Sequence, residues 1–530
     1  MVMSKSKEII SFQSLLLIVV LFTKSYQALS SHDNSASSFK SLCESTPYPD
    51  VCFSNSPKPS GPSSSKMFNN VKILIQSLKV AISEANKVFN LLSNITNDNF
   101  QEGQMGTIQD CNELYEITIS SLNDSLIQLT STSSLNELTD VSTFLAAAAT
   151  NTDTCLEELE SASGPLKPFL VDAINNAYKP LINSLSLFAK ENVYTTKSTK
   201  GINWLSKRKY RKHDNNINSI TVAKDGSGNF TTIMDAINFA PNRSVDKIII
   251  NIKRGVYEEY IAIRKNKHNI ILRGEGKYST IISGSRNRID GWHTYRSATV
   301  GVSGRGFMAR DIGFRNVAGP GKEQAVALRI NAEFAALYRC SIRGYQDSLY
   351  VHSFTQFYRE CDIYGTIDYI FGDATVVFQK CNIVTITPLP EQTTTVITAQ
   401  SRTYPFEKTG MSFINCNIWA TKNFRHSAAT HLIKSYLGRP WRAYARVVFI
   451  LSYIDDFIDP EGWLPWGEKN YSDTVYYGEY GNTGRGSDKH GRVKWLGHHI
   501  MNENEASNFL VSEFIMGQKW LDSTSFPYHD

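Results

Sequence analysis

Two aspartates occupy equivalent positions in an internal repeat of the sequence. From Cys340 the chain reads C-S-I-R-G-Y-Q-D-S-L-Y, and from Cys361 it reads C-D-I-Y-G-T-I-D-Y-I-F. Cys, Ile, Gly and Asp recur 21 residues apart, so Asp347 and Asp368 each follow their cysteine by seven residues. Two carboxyl groups brought close together suit acid–base and nucleophilic catalysis, because their repulsion keeps one protonated while the other is ionised.

The repeat predicts how these two side chains are positioned. The triplet C-N-I begins again at Cys381 and at Cys416, 20 and 35 residues further on. A repeat of about 20 residues made of short strands and turns is typical of a parallel β-solenoid. Neighbouring coils pair about 4.8 Å apart, so we expect the two aspartates to stack on one face. The expected strands include residues 247–252, 269–272, 280–282, 326–329, 376–379 and 447–451.

The aspartates could also be exposed turn residues that bond their own backbone. Apolar and aromatic residues follow both of them, at 348–350 and 369–371, which favours a catalytic pair. Such a pair fits glycoside hydrolysis or attack of an aspartate on an ester carbonyl. Gln346 and Gln324 could donate hydrogen bonds to an oxyanion, and Arg439 could hold one carboxylate ionised. These groups favour ester hydrolysis without settling the choice.

The N-terminal part of the chain has a different pattern. Apolar residues recur at three- and four-residue steps from residue 67, and again near 107–130, 135–160 and 165–190. This predicts a four-helix bundle within residues 31–196. Residues 28–196 carry nine basic and eighteen acidic groups, whereas residues 197–212 carry seven basic groups and no acidic one. The overall charge of +5 is therefore the sum of −9 from residues 28–196, +7 from 197–212, +5 from 213–530 and +2 from the first 27 residues.

Residues 1–28 resemble a secretory signal, with basic Lys5 and Lys7 before an apolar run at 9–22. That run is shorter than a usual membrane span. A single membrane anchor is the alternative interpretation. Five N-x-Ser/Thr sequons and eight cysteines without zinc-site spacing are compatible with an oxidising, secretory route and disulfide bonds. The basic segment within residues 197–215 is either a solvated linker or a cleavage site for a processing protease.

Composition excludes several classes of protein. The 530 residues are 41% hydrophobic and 20% charged. These values rule out a wholly disordered, collagen-like or multi-span membrane protein. The length predicts two or three domains.

The motifs together closely resemble plant pectin methylesterases that carry an N-terminal inhibitor-like pro-region. The resemblance begins at about residue 40 and covers the rest of the chain. The matching stretches are VAKDGSGNFTTI at 222–233, GVYEE at 255–259, QAVALR at 324–329, GYQDSLYVHS at 344–353, GTIDYIFG at 365–372 and LGRPWRAYA at 437–445. The N-terminal stretch CESTPYPDVC at 43–52 is similar to the invertase/pectin methylesterase inhibitor family, a four-helix bundle.

This resemblance implies a role for each candidate residue. Asp368 would be the nucleophile, Asp347 the proton donor and acceptor, and Gln346 a stabiliser of the transition state. The implied substrate-binding residues are Thr294, Gln324, Arg439 and Trp441. We also expect Trp463 or Trp466 to join Trp441 at the sugar.

Some residues depart from the family pattern. Tyr369 replaces the usual Phe of D-F-I-F-G, and Glu323 stands where His often precedes the Gln of Q-A-V-A-L. An added acid at Glu323 could alter the pH dependence. The basic segment lacks the leucines that usually follow it at the processing site, so both the cleavage point and cleavage itself are open.

Cysteine pairing has several solutions. The resemblance suggests Cys43–Cys52 and Cys111–Cys155 in the bundle. In the solenoid, adjacent coils would allow either Cys361–Cys381, which we favour, or Cys340–Cys361 together with Cys381–Cys416.

The expected protein is a secreted enzyme with an N-terminal all-α four-helix bundle and a C-terminal all-β right-handed parallel β-helix at 216–530. It would hydrolyse methyl esters of homogalacturonan in the cell wall without metal or cofactor. Its partners would be pectin and its own pro-domain, besides separate inhibitor proteins and a processing protease, with no nucleic acid and no membrane after signal removal. The alternatives are a β-helix glycoside hydrolase, an inactive carbohydrate-binding protein, and an inactive enzyme whose bundle inhibits other esterases.

Overall fold

The computed structural model separates a helical part from a part built of short strands. It describes residues 40–55, 66–96, 99–131, 139–193, 218–426 and 433–530. The predicted signal at 1–28 and the basic segment at 197–215 lie outside these ranges. Within them, no helix combines the length and apolarity needed to cross a membrane. The helices are α1 (Pro49–Asn55), α2 (Lys66–Ser93), α3 (Thr107–Ser131), α4 (Thr139–Leu159), α5 (Lys167–Val193), α6 (Ile233–Phe239), α7 (Lys422–His426), α8 (Glu503–Ser507), α9 (Val511–Phe514) and α10 (Gly517–Trp520).

Helices α2 to α5 form the predicted four-helix bundle. Each packs against two of the others along an apolar stripe. Leu78, Leu114, Leu145 and Leu181 are among the buried residues that these four helices contribute to the common core. The bridge Cys111–Cys155 joins α3 to α4, and Cys43–Cys52 closes the N-terminal turn. Both pairings are those that the sequence resemblance implied.

The remainder of the chain winds into a parallel β-helix. Its strands are β1 (Asn218–Val222), β2 (Ile248–Ile252), β3 (Gly255–Tyr257), β4 (Ile261–Ile263), β5 (Ile270–Arg273), β6 (Thr280–Gly284), β7 (Val300–Val302), β8 (Met308–Arg310), β9 (Gly313–Asn316), β10 (Leu328–Asn331), β11 (Ala335–Tyr338), β12 (Ser341–Arg343), β13 (Leu349–Ser353), β14 (Thr355–Arg359), β15 (Asp362–Gly365), β16 (Ile370–Gly372), β17 (Thr375–Gln379), β18 (Asn382–Thr385), β19 (Thr394–Gln400), β20 (Gly410–Ile414), β21 (Asn417–Ala420), β22 (Lys434–Pro440), β23 (Arg446–Ile450), β24 (Tyr453–Ile454), β25 (Tyr476–Tyr480) and β26 (His498–Ile500).

Three parallel sheets form the walls of the helix, because strands three apart along most of the chain are neighbours in space. The sheet ordered β22-β19-β16-β13-β10-β7-β4, here called the site sheet, carries the residues singled out above. Identical side chains stack along the interior, so that Phe378, Phe413 and Phe449 lie with ring centroids 4.6 and 4.7 Å apart. Stacked apolar rungs of this kind hold successive coils in register.

The repeated cysteines lie one above another inside the helix. Cys340, Cys361, Cys381 and Cys416 are buried free thiols, so the predicted Cys361–Cys381 bridge is wrong, as is the alternative pairing. The next residue of each coil pairs in parallel register, which sets the cysteines about 4.8 Å apart. A disulfide needs Cβ atoms only about 3.8 Å apart. The regular coil spacing thus keeps the sulfur atoms unbonded.

The helical bundle lies across the site sheet. Thr154 on α4 contacts His352 on β13 at 2.9 Å, and Asn331 on β10 donates to Asn151 on α4 at 2.9 Å. Aromatic residues of the site sheet share one buried cluster with the bundle core. The acidic module therefore covers the face on which the sequence predicts the catalytic pair.

Candidate active site

The two aspartates stack on consecutive coils of the site sheet. Leu349 pairs with Ile370, so Asp347 and Asp368 each stand two residues before a paired strand position. The backbone N–H of Asp347 donates to the carbonyl of Ile367 at 3.0 Å. Both aspartates have left-handed backbones, with φ of 62° and 49°, a conformation that Asp tolerates better than most residues. Asp347 and Asp368 therefore stack on neighbouring coils, as the repeat predicted.

A glycine makes this tight stacking possible. Gly365 ends β15 just before the turn that carries Asp368. A Cβ at Gly365 would lie 2.1 Å from the Cβ of Tyr369 and 2.8 Å from the carbonyl oxygen of Tyr345. No larger residue fits there without moving the turn.

Arg439, at the end of β22, forms a forked ion pair with Asp368. Its Nε lies 2.9 Å from Oδ1, and its Nη2 lies 2.6 Å from Oδ2. The guanidinium also lies over the ring of Trp466, 4.4 Å from the centroid. A bidentate arginine fixes the orientation of a carboxylate and favours its ionised form.

The environments of the two carboxyl groups differ. Burial raises the pKa of Asp347 well above its usual value, and the negative charge of Asp368 raises it further. Burial also raises the pKa of Asp368, but the charge and hydrogen bonds of Arg439 oppose that rise. Asp347 thus holds a proton under conditions in which Asp368 is ionised. The pair combines a proton donor with a nucleophile.

A cavity of about 470 Å³ opens above the aspartates. The predicted residues Gln346, Gln324, Thr294 and Trp441 all line it, as does Trp466. Trp463, the other tryptophan considered for the sugar, is instead fully buried and stacks on Tyr477 inside the β-helix.

Several residues at the cavity were not predicted as sugar contacts. Tyr350 and Phe371 stack with ring centroids 4.1 Å apart and line the cavity. They stand three residues after Asp347 and Asp368, so the repeat that predicted the aspartates also placed these rings one above the other. Arg442 and His293 line the cavity too. Arg442 lies within the matching stretch LGRPWRAYA at 437–445, but the sequence assigned no role to either residue.

The bundle forms the roof of the cavity. Glu157 and Glu158, both on α4, line it, and Glu157 pairs with Arg442 across the boundary between the two parts. Glu158 is buried, and its carboxyl group lies beside that of Asp110. Burial raises the pKa of Glu158 well above its usual value, and the neighbouring charge of Asp110 adds to the rise.

Further ion pairs tie the bundle to the β-helix beside the cavity. Asp110 on α3 pairs with Arg296, which lies just before β7. Glu113, also on α3, lies 3.3 Å from Arg296 and 3.5 Å from Arg329 on β10. Burial would raise the pKa of Glu113, but the charges of Arg329 and Arg296 outweigh burial and lower it. The acidic charge of the module is thus directed, in part, at arginines of the site sheet.

Glu323, the acid found in place of the family's usual His, pairs with Arg288 at 3.4 Å and is half exposed. It is not among the residues that line the cavity. Its proposed influence on pH dependence stays a prediction.

Two family models match the chain. The model described as Pectinesterase matches residues 219–518, and the model described as Plant invertase/pectin methylesterase inhibitor matches residues 37–187. The boundary between the two matches coincides with the change from helices to strands.

Curated relatives match nearly the whole chain. The "Probable pectinesterase/pectinesterase inhibitor 12" of Arabidopsis thaliana is 50% identical over 531 residues, with 96% of each chain covered. The "Pectinesterase/pectinesterase inhibitor PPE8B" of Prunus persica is 42% identical, covering 85% of this chain and 88% of the relative.

Solved structures resemble the β-helix part. The pectin methylesterase from carrot is 45% identical with a TM-score of 0.58, and 60% of this chain matches 99% of the carrot chain. The pectin methylesterase from Aspergillus niger is 32% identical with a TM-score of 0.50, and 59% of this chain matches 98% of that chain. The β-helix part of this protein thus corresponds to nearly the whole length of the carrot and Aspergillus niger chains. From its two matched domains and its curated relatives, this chain belongs to the pectinesterase family, with an inhibitor-like domain preceding the pectinesterase domain.

Proposed function

We propose that the β-helix hydrolyses methyl esters of homogalacturonan through Asp368 and Asp347. The observation that carries the proposal is the unequal pair of stacked, buried aspartates. One of them is held by the forked Arg439 ion pair, and the other is free of any such bond among the described residues. An ionised nucleophile beside a protonated acid is what ester cleavage at a carboxylate requires.

In the first half of the reaction, Asp368 attacks the ester carbonyl carbon of a galacturonate unit. The carbonyl oxygen becomes negatively charged, and the side-chain amide of Gln346 donates a hydrogen bond to it, with Gln324 beside it. Asp347 gives its proton to the departing methoxy oxygen, so methanol leaves and an acyl-enzyme anhydride joins substrate and Asp368.

In the second half, Asp347 is ionised and takes a proton from a water molecule. That water attacks the anhydride carbonyl, and Asp368 leaves as a carboxylate stabilised by Arg439. The products are free galacturonate and the regenerated pair, with Asp347 protonated again. Asp347 thus serves first as an acid and then as a base, whereas Asp368 serves first as the nucleophile and then as the leaving group.

We further propose that the bundle inhibits the enzyme while the two parts remain joined, and that the protein acts in the cell wall after secretion. The contacts of α3 and α4 with the site sheet support inhibition, because a long polysaccharide cannot lie where the bundle lies. Separate inhibitor proteins and a processing protease remain further proposed partners. Pro-domain residues 31–196, linker 197–215 and catalytic residues 216–530 are the proposed divisions.

The test is methanol release from methylated homogalacturonan by residues 213–530, with and without Asp368→Asn. We expect the variant to lose at least about 10³-fold in rate, because the nucleophile is gone. Asp362→Asn is the matched control, since Asp362 is also buried and ion-paired, to Lys277 at 2.6 Å, but lies on another sheet. Unchanged release in Asp368→Asn would reject the assigned nucleophile, and release of reducing ends without methanol would indicate a glycosidase.

A further inference from the structure

A set of hydrogen-bond donors on the β-helix surrounds the side chain of Glu113 from the bundle. Ser303 Oγ donates to Glu113 Oε1 at 2.7 Å, and the hydroxyl of Tyr295 donates to the same oxygen at 3.3 Å. The guanidinium groups of Arg296 and Arg329 lie 3.3 and 3.5 Å from this carboxylate. All four donors belong to the β-helix, and we call them together the carboxylate pocket.

The two arginines of the carboxylate pocket take their counter-charge from the bundle. Within the ranges that the structure describes, Arg296 pairs with Asp110 and Glu113, and Arg329 pairs with Glu113. The side chain of Arg329 is only 4% exposed, yet its Nε and Nη1 have no hydrogen-bond partner among the described residues. Buried polar groups are normally satisfied by protein, water or a ligand, and a buried charge without a partner is costly. The hydrogen bonding of Arg329 is thus incomplete even beneath the bundle.

Neighbouring residues of the β-helix fix the position of Arg329. Gly301 on β7 pairs with Arg329 on β10, and a Cβ at Gly301 would lie 2.6 Å from Nη2 of the arginine. The guanidinium carbon also lies over the ring of Tyr295, 3.3 Å from its centroid. A guanidinium held in a fixed orientation suits recognition of a planar carboxylate.

The carboxylate pocket adjoins the active-site cavity. One column of paired positions runs along five strands of the site sheet, from β10 to β22. Its members in order are Arg329, Tyr350, Phe371, Ala399 and Arg439. Successive members are about 4.8 Å apart, and all of them except Arg329 line the cavity, as does Tyr295. A polymer that extends along this column from Asp368 would therefore bring another of its units to Arg329.

We propose that the carboxylate pocket binds a free carboxylate of the homogalacturonan chain whose methyl ester reacts at Asp368, and that Glu113 takes the place of this carboxylate in the intact chain. The inference rests on the proposed function of Asp368 and Asp347. A galacturonate carboxylate has the planar shape and the charge of the Glu113 side chain, whereas a methyl ester would leave both arginines without a counter-charge. The pocket thus favours chains that already carry a free acid near the reacting ester.

The charge state of Glu113 agrees with this assignment. Burial would raise the pKa of Glu113, but the charges of Arg329 and Arg296 outweigh burial and lower it. The pocket therefore selects the ionised form of an acid, which is the form that a free galacturonate unit has at neutral pH.

Direct binding tests the pocket without any turnover. Unmethylated trigalacturonate is titrated by calorimetry into residues 213–530. This form is a sound reference, because its interior cluster contains only residues from Ile220 onward and it corresponds to nearly the whole carrot chain. We expect Arg329→Gln to raise the Kd at least about tenfold, and Arg329→Lys, which keeps the charge but not the fork, to raise it less.

Arg359→Gln is the matched control for the binding test. The side chain of Arg359 is also 4% exposed and is ion-paired, to Glu360 at 3.3 Å, but Arg359 lies on β14 in another sheet. We expect this variant to bind trigalacturonate with the Kd of the parent.

Turnover of two polymers of equal length tests specificity. One is fully methylated and the other is partly demethylated, and initial methanol release by residues 213–530 gives kcat/KM for each. We expect Arg329→Gln to lower the preference for the partly demethylated polymer, expressed as the ratio of the two kcat/KM values, at least about tenfold. Ser303→Ala removes one hydrogen bond with little change of shape and should lower this ratio about threefold.

The outcomes separate the inference from the proposed function. A parent-like Kd and ratio in Arg329→Gln, or an equal fall of kcat/KM on both polymers, would overturn the inference. If Arg329→Gln loses the circular dichroism of the folded protein, Ser303→Ala decides, and an unaltered ratio in that variant rejects the pocket. If residues 213–530 release no methanol from either polymer, the proposed function fails, while trigalacturonate binding still tests the pocket.

Discussion

At the level of single residues, the raised pKa of Asp347 suits a proton donor but lowers the stability of the fold at neutral pH. Its carboxyl is buried, has the ionised Asp368 as its neighbour, and has a raised pKa. The folded chain therefore keeps a proton that the unfolded chain releases near pH 4. The stability that this proton confers is complete below the unfolded pKa and is lost as the pH rises toward the folded pKa.

Asp347→Asn should consequently make the β-helix more stable at neutral pH. The amide has the same shape and no charge to bury, so we expect the free energy of unfolding at pH 7 to rise by about 1–2 kcal/mol. At pH 3 parent and variant should agree. Urea unfolding of residues 213–530 at both pH values measures this difference in stability. Equal stability of the parent and the variant at pH 7 would show that burial of the Asp347 carboxyl does not lower stability. Asp362→Asn, which loses the ion pair to Lys277, should lower stability.

At the level of secondary-structure elements, the turn between β15 and β16 sets the position of the nucleophile. Gly365→Ala would force a Cβ to within 2.1 Å of Tyr369. We expect a loss of about 1–3 kcal/mol in the free energy of unfolding, together with a fall in kcat as Asp368 moves. Gly321→Ala is the control, since its nearest contact would be 3.9 Å and its φ is not positive. If Gly365→Ala and Gly321→Ala lower the melting temperature equally, the close approach of Gly365 to Tyr369 does not contribute to stability.

A second turn recurs before each interior cysteine. Lys380 and Asn415 occupy the same place on successive coils, with φ of 54° and 52°, and both are exposed. Asn adopts this left-handed conformation at lower cost than Lys. Lys380→Asn should therefore raise the free energy of unfolding by about 0.5 kcal/mol, and Asn415→Lys should lower it by a similar amount. Changes of the same sign in the two variants, measured by urea unfolding, would contradict this account.

The coils and helices also show which features of the structure could be predicted from the sequence and which could not. The 21-residue repeat predicted the stacking of Asp347 and Asp368, because coil spacing converts sequence offset directly into position. Apolar periodicity predicted the bundle because residues three and four positions apart lie on one face of a helix. The repeat also suggested Cys361–Cys381, and there it was wrong, since the stacked cysteines are free thiols. The pair Glu157–Arg442 joins residues 285 positions apart, and no local pattern encodes such a contact.

At the level of the whole molecule, apolar contacts support the ion pairs between the two parts. Phe144 on α4 meets Phe354 of the β-helix edge to face, with ring centroids 6.2 Å apart, and both are buried. Phe144→Ala should weaken this boundary and raise the polymer rate of the intact chain several-fold, about 1 kcal/mol in free energy. Phe169→Ala is the control, because Phe169 is 67% exposed. An unaltered polymer rate with unaltered helix content would show that this contact does not hold the bundle in place.

The position of the bundle in the chain gives its contact with the site sheet a consequence for biosynthesis. Translation proceeds from the N-terminus, and domains generally fold in that order. The bundle, with both of its disulfides, is thus complete in sequence before the first strand of the β-helix leaves the ribosome. Each new coil can then add its aromatic surface, including Tyr350 and Phe371, to a cluster that the bundle has already begun. We therefore expect the bundle to shorten the time for which this face of the β-helix is exposed to other nascent chains.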